Sequence, residues 1–204
     1  METGALHGGA LEVRRRRDGS ARLAGRFPYQ QTAILSDGGR RGRPRKERFA
    51  PRAFSYRIDR PGEEIHLLSG HDYSRPLASR GTRTLEIEDT DAAVEFEATI
   101  PATITDVGHI RDVLALLETG LAIGLSPGFR LPPERAVRDA ETIEEEPYRP
   151  EEGMHRAIIR TINAALLYEM SIVTSAAYSQ ATVEARDWQA SVCAPMHAAL
   201  RWRT

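Results

Sequence analysis

Between Ala92 and Ile100 the chain places Val94, Phe96, Ala98 and Ile100 on one side and Glu95, Glu97 and Thr99 on the other. A period of two is the signature of a strand with one buried face. Thr84–Glu88 repeats it, with Leu85 and Ile87 against acids, and Asp89-Thr90-Asp91 lies between the two runs. Together they predict a β-hairpin with one wet face. Glu64–Leu68 carries Ile65 and Leu67 on one face, and His66 and Leu68 on the other. Leu166–Val173 alternates Leu167, Glu169, Ser171 and Val173 against Leu166, Tyr168, Met170 and Ile172. Ile158–Ile162, Leu121–Leu125 and the looser run Arg22–Leu35 are further strand candidates. One segment alone has strong helical spacing: Val107, Ile110, Val113, Leu114 and Leu117, with Asp106 as N-cap and Gly120 as stop. Pro195–Trp202 is a weaker helix candidate. Many strands around one good helix make the expected class α+β and β-rich.

Charge divides the chain more sharply than its net value of −1 suggests. Residues 1–60 hold 15 Arg and Lys against 6 Asp and Glu, and residues 61–204 hold 13 against 23. Residues 1–21 read as a flexible basic tail, 22–186 as the folded domain and 187–204 as a C-terminal tail. Residues 36–48 lack any apolar member and read as a loop, and Glu141–Glu152 as a solvated acidic excursion. Apolar residues make up 41% of the chain, enough for a real core. A single cysteine, Cys193, excludes an intrachain disulfide framework and a multi-cysteine zinc site. No apolar run approaches the ~20 residues of a membrane span, and Met1–Val13 lacks the features of a signal peptide. The expectation is a soluble protein of a reducing compartment.

Four features bear on chemistry. Gly124-Leu125-Ser126-Pro127-Gly128 matches the G-x-S-x-G nucleophile elbow in letters. An elbow must lead straight into a helix, and Pro127, Gly128, Pro132 and Pro133 forbid one. A lipase or esterase reading fails there. What remains is a serine at a strand end, flanked by glycines that admit a close backbone. His71 follows a strand and could serve as a general base, or could be a surface histidine in a turn with Asp72. Glu169 sits in a strand that reads as buried on both faces, so it needs a partner. That partner is either an imidazole, as in a Ser-His-acid triad, or an arginine such as Arg156 or Arg160. Finally, Arg41-Gly42-Arg43-Pro44 with Arg45 and Lys46 resembles an AT-hook core. A solvated basic loop is the plainer reading, and direct DNA binding is not expected.

In chain order these pieces resemble the prohead (capsid maturation) serine proteases of tailed phages, the HK97-like family, including gene-transfer-agent versions. The resemblance covers about residues 22–186. It runs through K-E-R-F-A-P-R-A-F (Lys46 to Phe54), I-H-L-L-S-G-H-D (Ile65 to Asp72) with R-P-L-A-S, and the hairpin T-L-E-I-E-D-T. It ends with G-L-A-I-G-L-S-P-G-F (Gly120 to Phe129) and L-Y-E-M-S-I-V-T-S-A-A-Y (Leu167 to Tyr178), where Ala176 stands in place of a frequent proline. The resemblance implies Ser126 as nucleophile, His71 as general base and Glu169 as the acid that orients it. It implies a herpesvirus-assemblin-like β-barrel packed with a few helices, and no cofactor or metal. The implied partner is the major capsid protein with its scaffold segment on a separate chain, with the portal protein and self-association as further contacts and no membrane. The implied place is the bacterial host cytoplasm, inside the prohead. The competing class is a non-enzymatic nucleic-acid-binding or assembly module built on the basic N-terminal region.

Overall fold

A computed structural model describes residues 11–39, 42–122 and 124–174. In chain order the strands are β1 (Leu11–Arg15), β2 (Ala21–Pro28), β3 (Ala33–Ser36) and β4 (Arg45–Phe49), followed by the short helix α1 (Ser55–Ile58). Then come β5 (His66–Ser69), β6 (Asp72–Ser79), β7 (Leu85–Asp89) and β8 (Ala93–Ile100), and the helix α2 (Gly108–Glu118). The remainder is β9 (Gly124–Arg130), β10 (Glu141–Glu145), β11 (Tyr148–Arg149), β12 (Met154–His155), β13 (Ile158–Ile162) and β14 (Leu166–Val173).

Three four-stranded sheets result, in the orders β1-β2-β8-β7, β10-β13-β4-β3 and β6-β5-β14-β9, with a small β11-β12 pair. Most joins are antiparallel; β4 with β13 and β5 with β14 are parallel. The fold is β-rich with few helices, as the alternation implies. Among the described residues each sheet ends in edge strands and no closed barrel forms, unlike the barrel the resemblance implied. The core is one continuous cluster between the sheets. Phe27, Phe49 and Phe54 are almost wholly buried. Phe49 meets Phe27 edge-on at 5.5 Å and Phe129 at 5.1 Å, so residues from β2, β4 and β9 share one aromatic centre. Helix α2 buries Ile110, Val113, Leu114 and Leu117, the stripe its spacing predicted.

The hairpin, β13 and β14 lie where alternation put them. Six expectations change. Residues 11–15 are not part of a tail: β1 pairs with β2 along its length, and its Leu11 and Val13 pack on the core while the arginines face water. Arg22–Leu35 is two strands in different sheets, parted by Gln30 at φ 61°. The loop over 36–48 contains most of β4, whose inward Glu47 hides the strand pattern. Helix α2 starts after Val107, and no side chain caps it; Asp106 lies outside the helix start, while Gly120 at φ 72° does close the C-terminal turn. Strand Leu121–Leu125 is displaced toward the C-terminus as β9, and the acidic excursion contains β10. The helix expected over Pro195–Trp202, the tail 187–204 and Cys193 lie outside the described residues.

Candidate active site

Strand β5 runs parallel to β14, with His66 opposite Glu169, Leu68 opposite Ser171 and Ser69 opposite Ile172. Beyond β5 the chain reverses through Gly70 (φ 65°) and His71 (φ 61°) into β6. A left-handed backbone at a non-glycine residue costs roughly 1–2 kcal/mol, so something must hold it. Two hydrogen bonds to β14 do so: Gly70 N–H donates to the Ile172 carbonyl at 3.0 Å, and His71 N–H donates to Ser171 Oγ at 2.8 Å. The imidazole then lies with Nδ1 2.7 Å from Glu169 Oε1.

Glu169 is 3% exposed, and its second oxygen accepts a hydrogen bond from Ser171 Oγ at 2.7 Å. The acid is thus inside the sheet, and the His71 side chain above it is 45% exposed. A carboxylate can only accept, so it selects the His71 tautomer with the proton on Nδ1. In the neutral ring the lone pair is then on Nε2, the atom a general base uses. Tyr73 on β6 is part of the same neighbourhood, edge-on to His66 at 5.6 Å. Burial first, and the Glu169 carboxylate second, push its phenol up from the ordinary value.

On the other side of β14 runs β9, an edge strand, which is why Pro127 is tolerated in it. Ser126 stands opposite Ser171, and Gly128 opposite Glu169. Alternation puts all four on one face, and directly opposed residues have Cβ atoms about 4.5–5.5 Å apart. Gly128 must be glycine for a local reason. A Cβ there would fall 1.9 Å from Glu169 Oε1, because the carboxylate occupies that space. Ser126 is half-buried on a strand, not at the strand end the sequence suggested. Among the described residues no hydrogen bond joins its Oγ to the imidazole. Such bonds are often long without substrate and tighten when it binds.

So the fold joins His71 to Glu169 directly and sets Ser126 one strand away. Glu169 is not paired with Arg156 or Arg160. Arg160 instead bonds Glu47 at 2.9 Å and Glu141 at 2.6 Å. Asp72 instead accepts hydrogen bonds from Ser74 Oγ and N–H, at 2.6 and 2.8 Å, which hold its carboxyl below the usual range. Ser171 is a neighbour of the pair that sequence reading did not single out, and Gly128, read there as a glycine flanking Ser126, also makes room for Glu169. Parity with Glu169 along β14 was the available signal for Ser171. The basic segment is engaged within its own sheet: Arg43, Lys46 and Arg48 pair with Glu145, Glu146 and Glu144. Among the described residues no group of three His, Cys, Asp or Glu is arranged to hold a metal ion.

A serine and a buried acid on neighbouring strands, with an imidazole from the adjoining turn, are the parts a serine hydrolase uses. The chain belongs to the caudovirus prohead serine protease family, whose model matches residues 38–194 and so includes His71, Ser126 and Glu169. Membership makes it a serine protease of phage capsid maturation, with capsid protein as substrate and the interior of the capsid in the host as its place of action. No curated protein and no solved structure matches the chain. Among the described residues no helix is long and apolar enough to cross a membrane.

Proposed function

We propose that Ser126, His71 and Glu169 form the hydrolytic centre, and that it removes the scaffold segment of the major capsid protein inside the prohead. The observation that carries this reading is the pairing of a buried carboxylate with an accessible imidazole on the sheet that holds Ser126. In the mechanism, His71 Nε2 takes the Ser126 proton as Oγ attacks the peptide carbonyl. The imidazolium that forms keeps its Nδ1 proton on Glu169, then returns the other proton to the leaving amine. Water repeats the sequence on the acyl-enzyme. Backbone N–H groups near Ser126 receive the oxyanion, and Pro127, which has none, contributes nothing there.

The same centre cuts the protease chain itself once capsid processing is under way, and the enzyme self-associates and contacts the portal region within the shell. An assemblin-like arrangement of the three sheets is the architecture proposed with it, on the strength of the motif order. Co-expression with its cognate capsid protein provides the test, read by mass spectrometry of the product termini. Wild type yields a shortened capsid protein and Ser126→Ala yields the full-length one. Normal processing by Ser126→Ala refutes the assignment.

A further inference from the structure

We infer that Ser171 is a positioning residue that fixes the acid and the base of this site at the same time. This inference rests on the catalytic reading of His71 and Glu169 given above. Ser171 is completely buried, in the middle of β14, where a hydroxyl without partners would be costly. It is committed on both sides. Its Oγ donates to Glu169 Oε2 at 2.7 Å and accepts the His71 N–H at 2.8 Å.

Those two bonds act on different problems. The first uses the carboxylate oxygen that His71 does not use, so Glu169 can present only Oε1 to the imidazole. Without it the carboxylate could rotate about its last torsion, which is broad and has little preference of its own. The second bond holds the one residue of the turn that is left-handed without being glycine. The backbone of His71 is therefore anchored to the same hydroxyl that orients its side-chain partner. An error at Ser171 displaces the imidazole through its main chain and through its acid together.

Ser171 is distinct in role from Ser126, although the two stand opposite each other in the β9–β14 register. Ser126 is half-buried on an edge strand, whereas Ser171 is sealed in the sheet and has no proton to spare. On this reading attack belongs to the first and alignment to the second.

The test compares wild type, Ser171→Ala, Ser171→Cys and Ser171→Thr on a peptide spanning the capsid cleavage site. Each is normalised to active sites titrated with a fluorophosphonate. Cysteine keeps the volume but is a weak donor and acceptor, so it serves where alanine fails to fold. Misplacement of reacting groups by about 1 Å costs on the order of 10²-fold, so kcat should fall about 10- to 100-fold in the Ala and Cys variants. KM should stay within about twofold, because Ser171 touches no substrate, and threonine should restore most of kcat.

A second readout needs no turnover. In wild type the His71 ring N–H held by Glu169 should give a downfield proton resonance, identified by its absence in His71→Ala. That resonance should vanish or move upfield in the Ala and Cys variants and persist in the Thr variant. Unchanged kcat per titrated site, or an unchanged resonance, in Ser171→Cys overturns the inference. If Ser126→Ala still processes capsid protein, the catalytic reading fails, while the resonance still decides whether Ser171 orients the pair.

Discussion

Two central strands each bury a carboxylate: Glu47 on β4 is 6% exposed and Glu169 on β14 is 3% exposed. Each reaches a partner far away in sequence, but the partners differ in kind. Glu47 accepts from Arg160, which also holds Glu141 and so sits within a web of charges along β10, β13 and β4. A guanidinium never gives up its proton in a protein, so that acid can only hold structure. Glu169 accepts from His71 and Ser171, and an imidazole is the side chain that gains and loses a proton near neutrality. Burial of an acid is therefore common to both sheets. The partner decides which of the two can take part in proton transfer.

The most severe challenge to this contrast is Glu169→Gln. The amide keeps the volume but can no longer fix the His71 tautomer by accepting alone, and kcat should fall about 10³- to 10⁴-fold with the fold intact. Cleavage at near wild-type rate would make Glu169 a structural acid like Glu47.

Asp89 supplies a third buried carboxyl, bonded to the Tyr29 hydroxyl but with Oδ2 unpartnered. Burial pushes it up to about 6 from 3.8. The folded state therefore holds a proton that the unfolded chain has lost between those values. Stability from this group is highest below the unfolded value and declines as pH rises through about 6, by up to about 3 kcal/mol. Denaturant midpoints of wild type and Asp89→Asn at pH 4 and pH 7.5 check it. The variant should improve relative to wild type at the higher pH, and a constant difference at both would contradict the shift.

Gly128→Ala probes the seat of Glu169 from the other strand. The added Cβ claims space held by Oε1, so kcat should drop on the order of 10²-fold with a smaller change in KM. Glu47→Gln should do the least. Arg160 retains Glu141, stability should fall by about 1–2 kcal/mol, and kcat per folded molecule should not change.

The same contrast explains what the sequence could disclose. Hairpin β7–β8 and strands β13 and β14 were readable because their buried positions are apolar and alternate. Strand β4 was not, because Glu47 takes an inward place and its ion-pair partner Arg160 is distant in sequence. Strand β9 is hidden from local pattern because Pro127 and Gly128 look like a stop; an edge position accommodates the proline, and the Glu169 side chain requires the glycine. In β1 the run of arginines obscured Leu11 and Val13. His71, Ser126 and Glu169 could each be nominated on local grounds, but pairing Glu169 with His71 over Arg160 needs a contact 98 residues apart. Local pattern has no information on such contacts. The family resemblance supplied that link, and the hydrogen bond at Nδ1 gives it a physical form.

Labelling with a fluorophosphonate, followed by mapping of the modified peptide, tests the account at its centre. Wild type should be modified at Ser126, Ser171 should remain untouched, and modification should disappear in His71→Ala. A label on any other serine with Ser126 unmodified, or equal labelling without His71, would contradict it.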